Sequence, residues 1–230
     1  MQTYVNEKFL EQRRKFAKWG SYVGFGSLLV GLMMTSRNPL LSYAFLLVGL
    51  LGATFGSYVA NRYLKEPRAD TVFQEAGEGL DKRHTLYCYY LESHYVIASH
   101  HGLTVLEPRP QTGDISYDNG HWKHKSGFRK IMQLFGEPTL SKPDRDLSRE
   151  IEWSKEWIDE LMPEDDIPVN GAVVFTNPDV TLHISGNSVP IIAASDLVAH
   201  MKQGLKGSPI LTTAKQKELR RVLDEIVAQG

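Results

Sequence analysis

The chain has 230 residues, with 26 Lys/Arg against 27 Asp/Glu. That near-neutral total is a cancellation: residues 1–65 carry eight basic residues against two acids, a net of +6, and the remainder carries 18 against 25, a net of −7. A single cysteine, Cys88, excludes an internal disulfide framework and fits a reducing compartment. The acidic balance after residue 65 excludes a general electrostatic footprint for nucleic acid.

In chain order, residues 2–18 read as a short basic helix at a membrane surface, a cytoplasmic N-terminal segment spanning residues 1–18. Residues 19–36 and 38–61 contain no charged side chain. At ~1.5 Å rise per residue they reach roughly 27 and 36 Å, against a hydrocarbon core of about 30 Å. Neither shows the polar face that water requires every 3.6 residues. Only Arg37 and its neighbours separate them, so the expectation is a hairpin of two transmembrane helices. Trp19, Tyr22, Tyr43, Tyr58 and Tyr63 sit near the ends, where amphipathic rings favour the interface. Lys8, Arg13, Arg14, Lys15 and Lys18 precede the first span; Arg62, Lys65 and Arg68 follow the second. The positive-inside rule then puts both termini in the cytoplasm of a two-span cell-membrane protein. Gly20 and Gly24, Ser27 and Gly31, and Gly52 and Gly56 are four apart, a spacing for close helix packing within the hairpin or between copies in a homo-oligomer.

After the linker 66–70, residues 71–82 are expected to be helical, with Asp70 as N-cap. Residues 84–91, 94–98 and 103–107 suit strands, with Gly102 in a turn. In the first of these runs Cys88 reads as a buried small hydrophobe. Asn119-Gly120 between 113–117 and 121–124 signals a hairpin. Residues 127–135 have a helical pattern, and 144–161 an amphipathic one, with Leu147, Ile151, Ser154, Ile158 and Leu161 on one face. Strands are expected at 169–176, 180–184 and 189–192, and helices at 195–204 and 212–228. This order describes an α/β domain, residues 66–230, with a central mixed β-sheet flanked by helices.

The chemistry centres on Leu106-Glu107-Pro108-Arg109. Alternation puts Glu107 and Arg109 on one face of a strand, where a carboxylate and a cation serve a metal-dependent nuclease by holding Mg²⁺ and orienting water. Imidazoles bind zinc, but His100 and His101 would point apart in extended chain, and His94, His121 and His124 lack helical ligand spacing. The stretch His121–Lys130 is basic and aromatic enough to touch phosphates or anionic lipid. Phosphate-binding glycine loops, nucleophile elbows and zinc-finger spacings are absent from the sequence.

From about residue 75 to 200 the chain resembles the NERD (nuclease-related) domain family, which has a PD-(D/E)xK, restriction-endonuclease-like fold. The resemblance rests on Gly77-Glu78, on His94-Tyr95-Val96-Ile97, on Gly102 through Arg109, on Gly113 through Trp122, and on the order of the elements that follow. It implies catalytic positions at Glu78, Ser93, Glu107 and Arg109, with Glu107 as metal ligand. Ser93 stands where the family has an Asp, and Arg109 where it has a Lys. Serine brings no charge to Mg²⁺, and an arginine fork is not a lysine. The expectation is a membrane-anchored, catalytically degenerate module that binds or scaffolds, needing no cofactor. Two alternatives stand beside it. One is an active nuclease using Mg²⁺ or Mn²⁺ on nucleic acid; the other is a structural membrane protein whose domain mediates oligomerisation.

Overall fold

Asn38 begins the second of two long helices. Its side chain accepts from the Leu41 amide at 3.2 Å, and Pro39 occupies the first turn, where its missing N–H costs nothing. In a computed structural model, which describes residues 1–124, 140–186, 189–204 and 209–229, helices α1 (Glu7–Met34) and α2 (Pro39–Tyr63) form an antiparallel hairpin. Glycines set their spacing. A Cβ at Gly24 would lie 2.4 Å from the Ala53 amide nitrogen, and one at Gly49 would lie 2.6 Å from the Leu28 side chain. Ser42 adds a hydrogen bond, donating to the Gly31 carbonyl at 2.6 Å. The small-residue stripes thus face each other within one chain. Large apolar side chains lie outside: Trp19, Phe25, Leu32, Met33, Leu40 and Leu51 are all exposed.

Among the described residues one helix, Pro39–Tyr63, is long and apolar enough to cross a membrane, with a mean hydropathy of 1.7 over its best window. Helix α1 falls short because its first three turns carry Glu7, Lys8, Glu11, Arg13, Arg14, Lys15 and Lys18, and its uncharged stretch within the helix runs only from Trp19 to Met34.

Among the described residues, the second unit comprises Met1–Asn6, the chain from Ala69 to His124, and the chain from Leu140 onward. Its first strand, β1 (Gln2–Val5), lies where a surface helix was expected and extends the folded unit beyond residues 66–230. Helix α3 (Ala69–Ala76) is shorter than the expected 71–82, because Gly77 and Gly79 end it; Asp70 lies inside its first turn rather than at its cap. Strands β2 (Thr85–Cys88), β3 (Tyr95–Ser99), β4 (Gly102–Arg109), β5 (Gly113–Asp118) and β6 (His121–His124) follow. The expected helix at 127–135 lies outside the described residues. Next come α4 (Pro143–Leu161), β7 (Val169–Phe175), β8 (Val180–Ser185) and β9 (Ile191–Ala193). A mixed 3₁₀, α and π-helical run spans 194–204 in place of a regular helix, and α5 (Thr213–Gln229) closes the chain.

The main sheet has the order β1-β2-β3-β4-β7-β9, antiparallel across β2-β3-β4 and parallel elsewhere. A smaller sheet has the order β6-β5-β8. Register assigns the faces. Tyr87, Val96, Val105 and Gly171 align on one side, where Gly171 leaves room for Leu147 and Ile151 of α4 and where Leu219 and Leu223 of α5 join the core. Leu86, Cys88, Ile97 and Ala172 face the other side with Phe73 of α3, whose ring meets Tyr95 edge-on at 5.2 Å. The expected mixed sheet between helical layers is present, and Cys88 is fully buried.

Two turns need glycine. Asn119 and Gly120 both have positive φ, joining β5 to β6 in the two-residue turn that their sequence signals. Gly102 has φ +104°, and a Cβ there would lie 2.2 Å from the Pro168 carbonyl oxygen. We therefore expect Gly102→Ala to cost about 3 kcal/mol or more, through strain and a backbone clash together. Gly120→Ala has open space around it and is expected to cost only about 1 kcal/mol. Denaturant unfolding of the two variants measures the difference.

Candidate functional site

Strand β4 outruns its neighbour. Its ladder with β3 ends at Val96 opposite Val105, while its ladder with β7 continues to Arg109 opposite Phe175. Pro108, which lacks a backbone donor, falls in that one-sided stretch, where a proline is tolerated. The Arg109 carbonyl accepts from the Thr176 amide at 2.9 Å. Glu107 and Arg109 then project onto the face covered by α4.

The geometry there is an ion-pair bridge. Arg109 Nη2 lies 3.1 Å from Glu107 Oε1 and 2.5 Å from Asp146 Oδ2, in the first turn of α4. The arginine and Glu107 side chains are nearly buried, and Asp146 is about one-third exposed. One guanidinium sits between two carboxylates that would otherwise repel. Asp144, two residues earlier, accepts from the Trp122 indole at 2.8 Å and ties β6 to the same helix end.

Ser93 is buried in the connection between β2 and β3. Its hydroxyl donates to the Glu150 carbonyl at 3.1 Å and shares a 2.7 Å hydrogen bond with Ser154. Asp146, Glu150 and Ser154 are spaced four apart, so Arg109 and Ser93 both dock along one stripe of α4. Glu78 is exposed in the turn after α3, not on the helix where the resemblance placed it. Of the four family-matched positions, Glu107 and Arg109 pair directly, Ser93 shares their helix, and Glu78 stands apart. Asp146 was not singled out by the sequence; its place in the first turn of an amphipathic helix is the signal that could have found it. Among the described residues, no three His, Cys, Asp or Glu side chains converge so as to hold a metal ion.

A second group gathers at the opposite ends of β3 and β4. His100 and His101 occupy the turn before Gly102, and their rings lie 4.1 Å apart instead of pointing to opposite sides as extended chain would have them. His84, just before β2, meets His100 edge-on at 5.8 Å. Its Nδ1 pairs with Asp81 Oδ1 at 2.8 Å, and Asp81 also accepts from Arg83 Nε and Nη2 at 2.8 and 2.6 Å. Chiefly the Arg83 hydrogen bonds hold the Asp81 carboxyl well below the usual carboxylate range. Burial, with His101, Arg83 and His84 nearby, pushes His100 below an ordinary imidazole. Of the other histidines, His124 Nε2 bonds the Thr112 carbonyl at 2.8 Å, and the basic stretch beyond it lies outside the described residues.

Fold and site together define a mixed α/β domain with ion-paired carboxylates at the carboxyl end of a central strand. Comparison with family models, curated proteins and solved structures finds no match to this chain.

Proposed function

We propose that the chain is a membrane-anchored, cytoplasm-facing module of NERD-like, restriction-endonuclease-like character that works by binding rather than by cleavage. The observation that carries this reading is Arg109, whose guanidinium lies between Glu107 and Asp146, where a divalent cation would need their oxygens. An arginine stays protonated and does not activate water as a metal does. The order of helix, three antiparallel strands, a β5-β6 hairpin of the smaller sheet, helix and parallel strand supports the nuclease-like resemblance. Support for the anchor comes from the hairpin, which turns small residues inward and large apolar ones outward, a surface suited to lipid. Two spans, with both termini in the cytoplasm, follow from the flanking basic residues.

The test uses the full chain in detergent micelles with single- and double-stranded DNA and RNA in Mg²⁺ or Mn²⁺. Neither the native chain nor Glu107→Ala is expected to cleave. Cleavage by the native chain that Glu107→Ala abolishes would establish a membrane-tethered nuclease instead.

A further inference from the structure

The histidine group at the start of β2 and the end of β3 lines a pocket that the ion-pair site does not touch. Its walls include Asp81, Arg83, His84, His100, His101 and Lys202. A second cleft adjoins it, sharing Arg83 and His100 and adding Lys217 and Arg220 of α5. In a domain that is net negative, these two linked cavities carry four Lys/Arg and one acid, Asp81, which is already held by Arg83 and His84. Two ring nitrogens, His84 Nε2 and His100 Nδ1, are buried without a hydrogen-bond partner among the described residues. His84 is itself only 5% exposed. A buried polar atom without a partner costs free energy until something fills its valence. Asp81 takes one nitrogen of His84 and leaves the other for a ligand.

We propose that this pocket binds the phosphate group of a small phosphorylated ligand or a phospholipid headgroup. Lys202 and Arg83 supply the positive charge, and His84 and His100 donate ring N–H groups to the anion's oxygens. Phosphate is favoured over a carboxylate because its oxygens spread in three dimensions, which suits donors arriving from the β2 entry, the β3–β4 turn and the helical run at 194–204. The site is independent of the nuclease-like reading, since it lies at the other end of β4 from Glu107.

The histidines make the binding pH-dependent in a definite direction. The groups facing His100 are Asp81, Arg83, His84 and His101, with Lys202, Lys217 and Arg220 along the cavities. The folded chain resists protonating His100, whose folded pKa is lowered, so stability contributed above pH 6.5 is lost as pH falls through the folded value. An anion favours the protonated ring, so it binds tighter at acidic pH and offsets that loss. Sulfate isolates the effect because its charge is constant there, whereas phosphate changes charge within the same pH range.

The experiment is histidine-ring NMR and thermal melting of the full chain in detergent, titrated with sulfate, inorganic phosphate, or chloride at matched ionic strength. His84→Gln and His100→Gln assign the resonances. Sulfate and phosphate are expected to move the His84 and His100 signals but not that of exposed His183. Sulfate is expected to bind tighter at pH 6 than at pH 8, by up to about tenfold, the limit that one pKa unit of coupling sets. Lys202→Ala should weaken binding while leaving the melting temperature in chloride unchanged. Nanodiscs of phosphatidylcholine with and without phosphatidate separate the sources. Shifts with phosphatidate alone identify a lipid headgroup; shifts with soluble phosphate alone identify a free phosphorylated ligand. Shifts no larger than those in chloride, or a sulfate response confined to other histidines, would overturn the proposal.

Discussion

Arg109→Met is expected to destabilise the domain by about 2–4 kcal/mol, and Mn²⁺ is expected to restore part of the loss. The first half follows from charge. Arg109 and Glu107 are largely removed from water, and the bridge to Asp146 leaves two carboxylates facing one cation. Breaking a buried pair by deleting one member is costly because the survivor stays buried without compensation. The figure is set below the fully buried range because Asp146 is partly solvated. The double variant Arg109→Met/Glu107→Gln is expected to recover most of the loss, since no uncompensated buried charge remains at Glu107. The second half follows from geometry. If the guanidinium fills the place of a metal, removing it leaves Glu107 and Asp146 as two oxygen ligands that a divalent cation bridges. Melting of native and variant chains with and without Mn²⁺ reads both halves. A variant as stable as the native chain would show the bridge to be a surface feature. A variant destabilised but indifferent to Mn²⁺ would break the link between this arginine and a lost metal site.

The site was half legible in the sequence. Period-two alternation placed Glu107 and Arg109 on one face, and they pair there. Asn119-Gly120 and Gly102 fixed their turns because only particular residues tolerate positive φ. Of the expected stripe on α4, Leu147, Ser154 and Ile158 are buried and Ile151 is half-buried, as the spacing requires, whereas Leu161 at the end of the helix is exposed. What escaped was non-local. The partner of β1 is β2, some eighty residues away, and four residues before a helix-forming run carry no periodic signal of their own. Glu78 was placed on a helix that Gly77 terminates one residue earlier. The turn at His100-His101-Gly102 was expected, but the two rings were given the opposed directions of extended chain, and the turn that closes against Pro168, far along the sequence, brings them together instead. His84 entered no motif, because its pairing with Asp81 matters only once β2 and β3 bring His100 beside it.

Gly24→Leu is expected to drive α1 and α2 apart, whereas Gly26→Leu leaves them in place. Both are glycines on the uncharged stretch of one helix, so composition and hydropathy change equally. Only their positions differ. A Cβ at Gly24 would meet the Ala53 amide nitrogen at 2.4 Å and its Cα at 2.9 Å, whereas one at Gly26 would meet nothing within 4 Å. The contact at Gly24 is with backbone, which has no rotamer to swing aside, so the cost exceeds the about 1–3 kcal/mol of ordinary overpacking. Spin labels at exposed Phe25 and Leu51, in a Cys88→Ala background, report the interhelical distance in micelles or bilayers. A narrow distance distribution is expected for the native hairpin and Gly26→Leu, and a longer, broader one for Gly24→Leu. This pair of variants also bears on self-association. The glycine faces are occupied within the chain, so a second copy could use them only after the hairpin opens. If Gly24→Leu leaves the distance unchanged yet abolishes a dimer, the small residues pack between copies rather than within one.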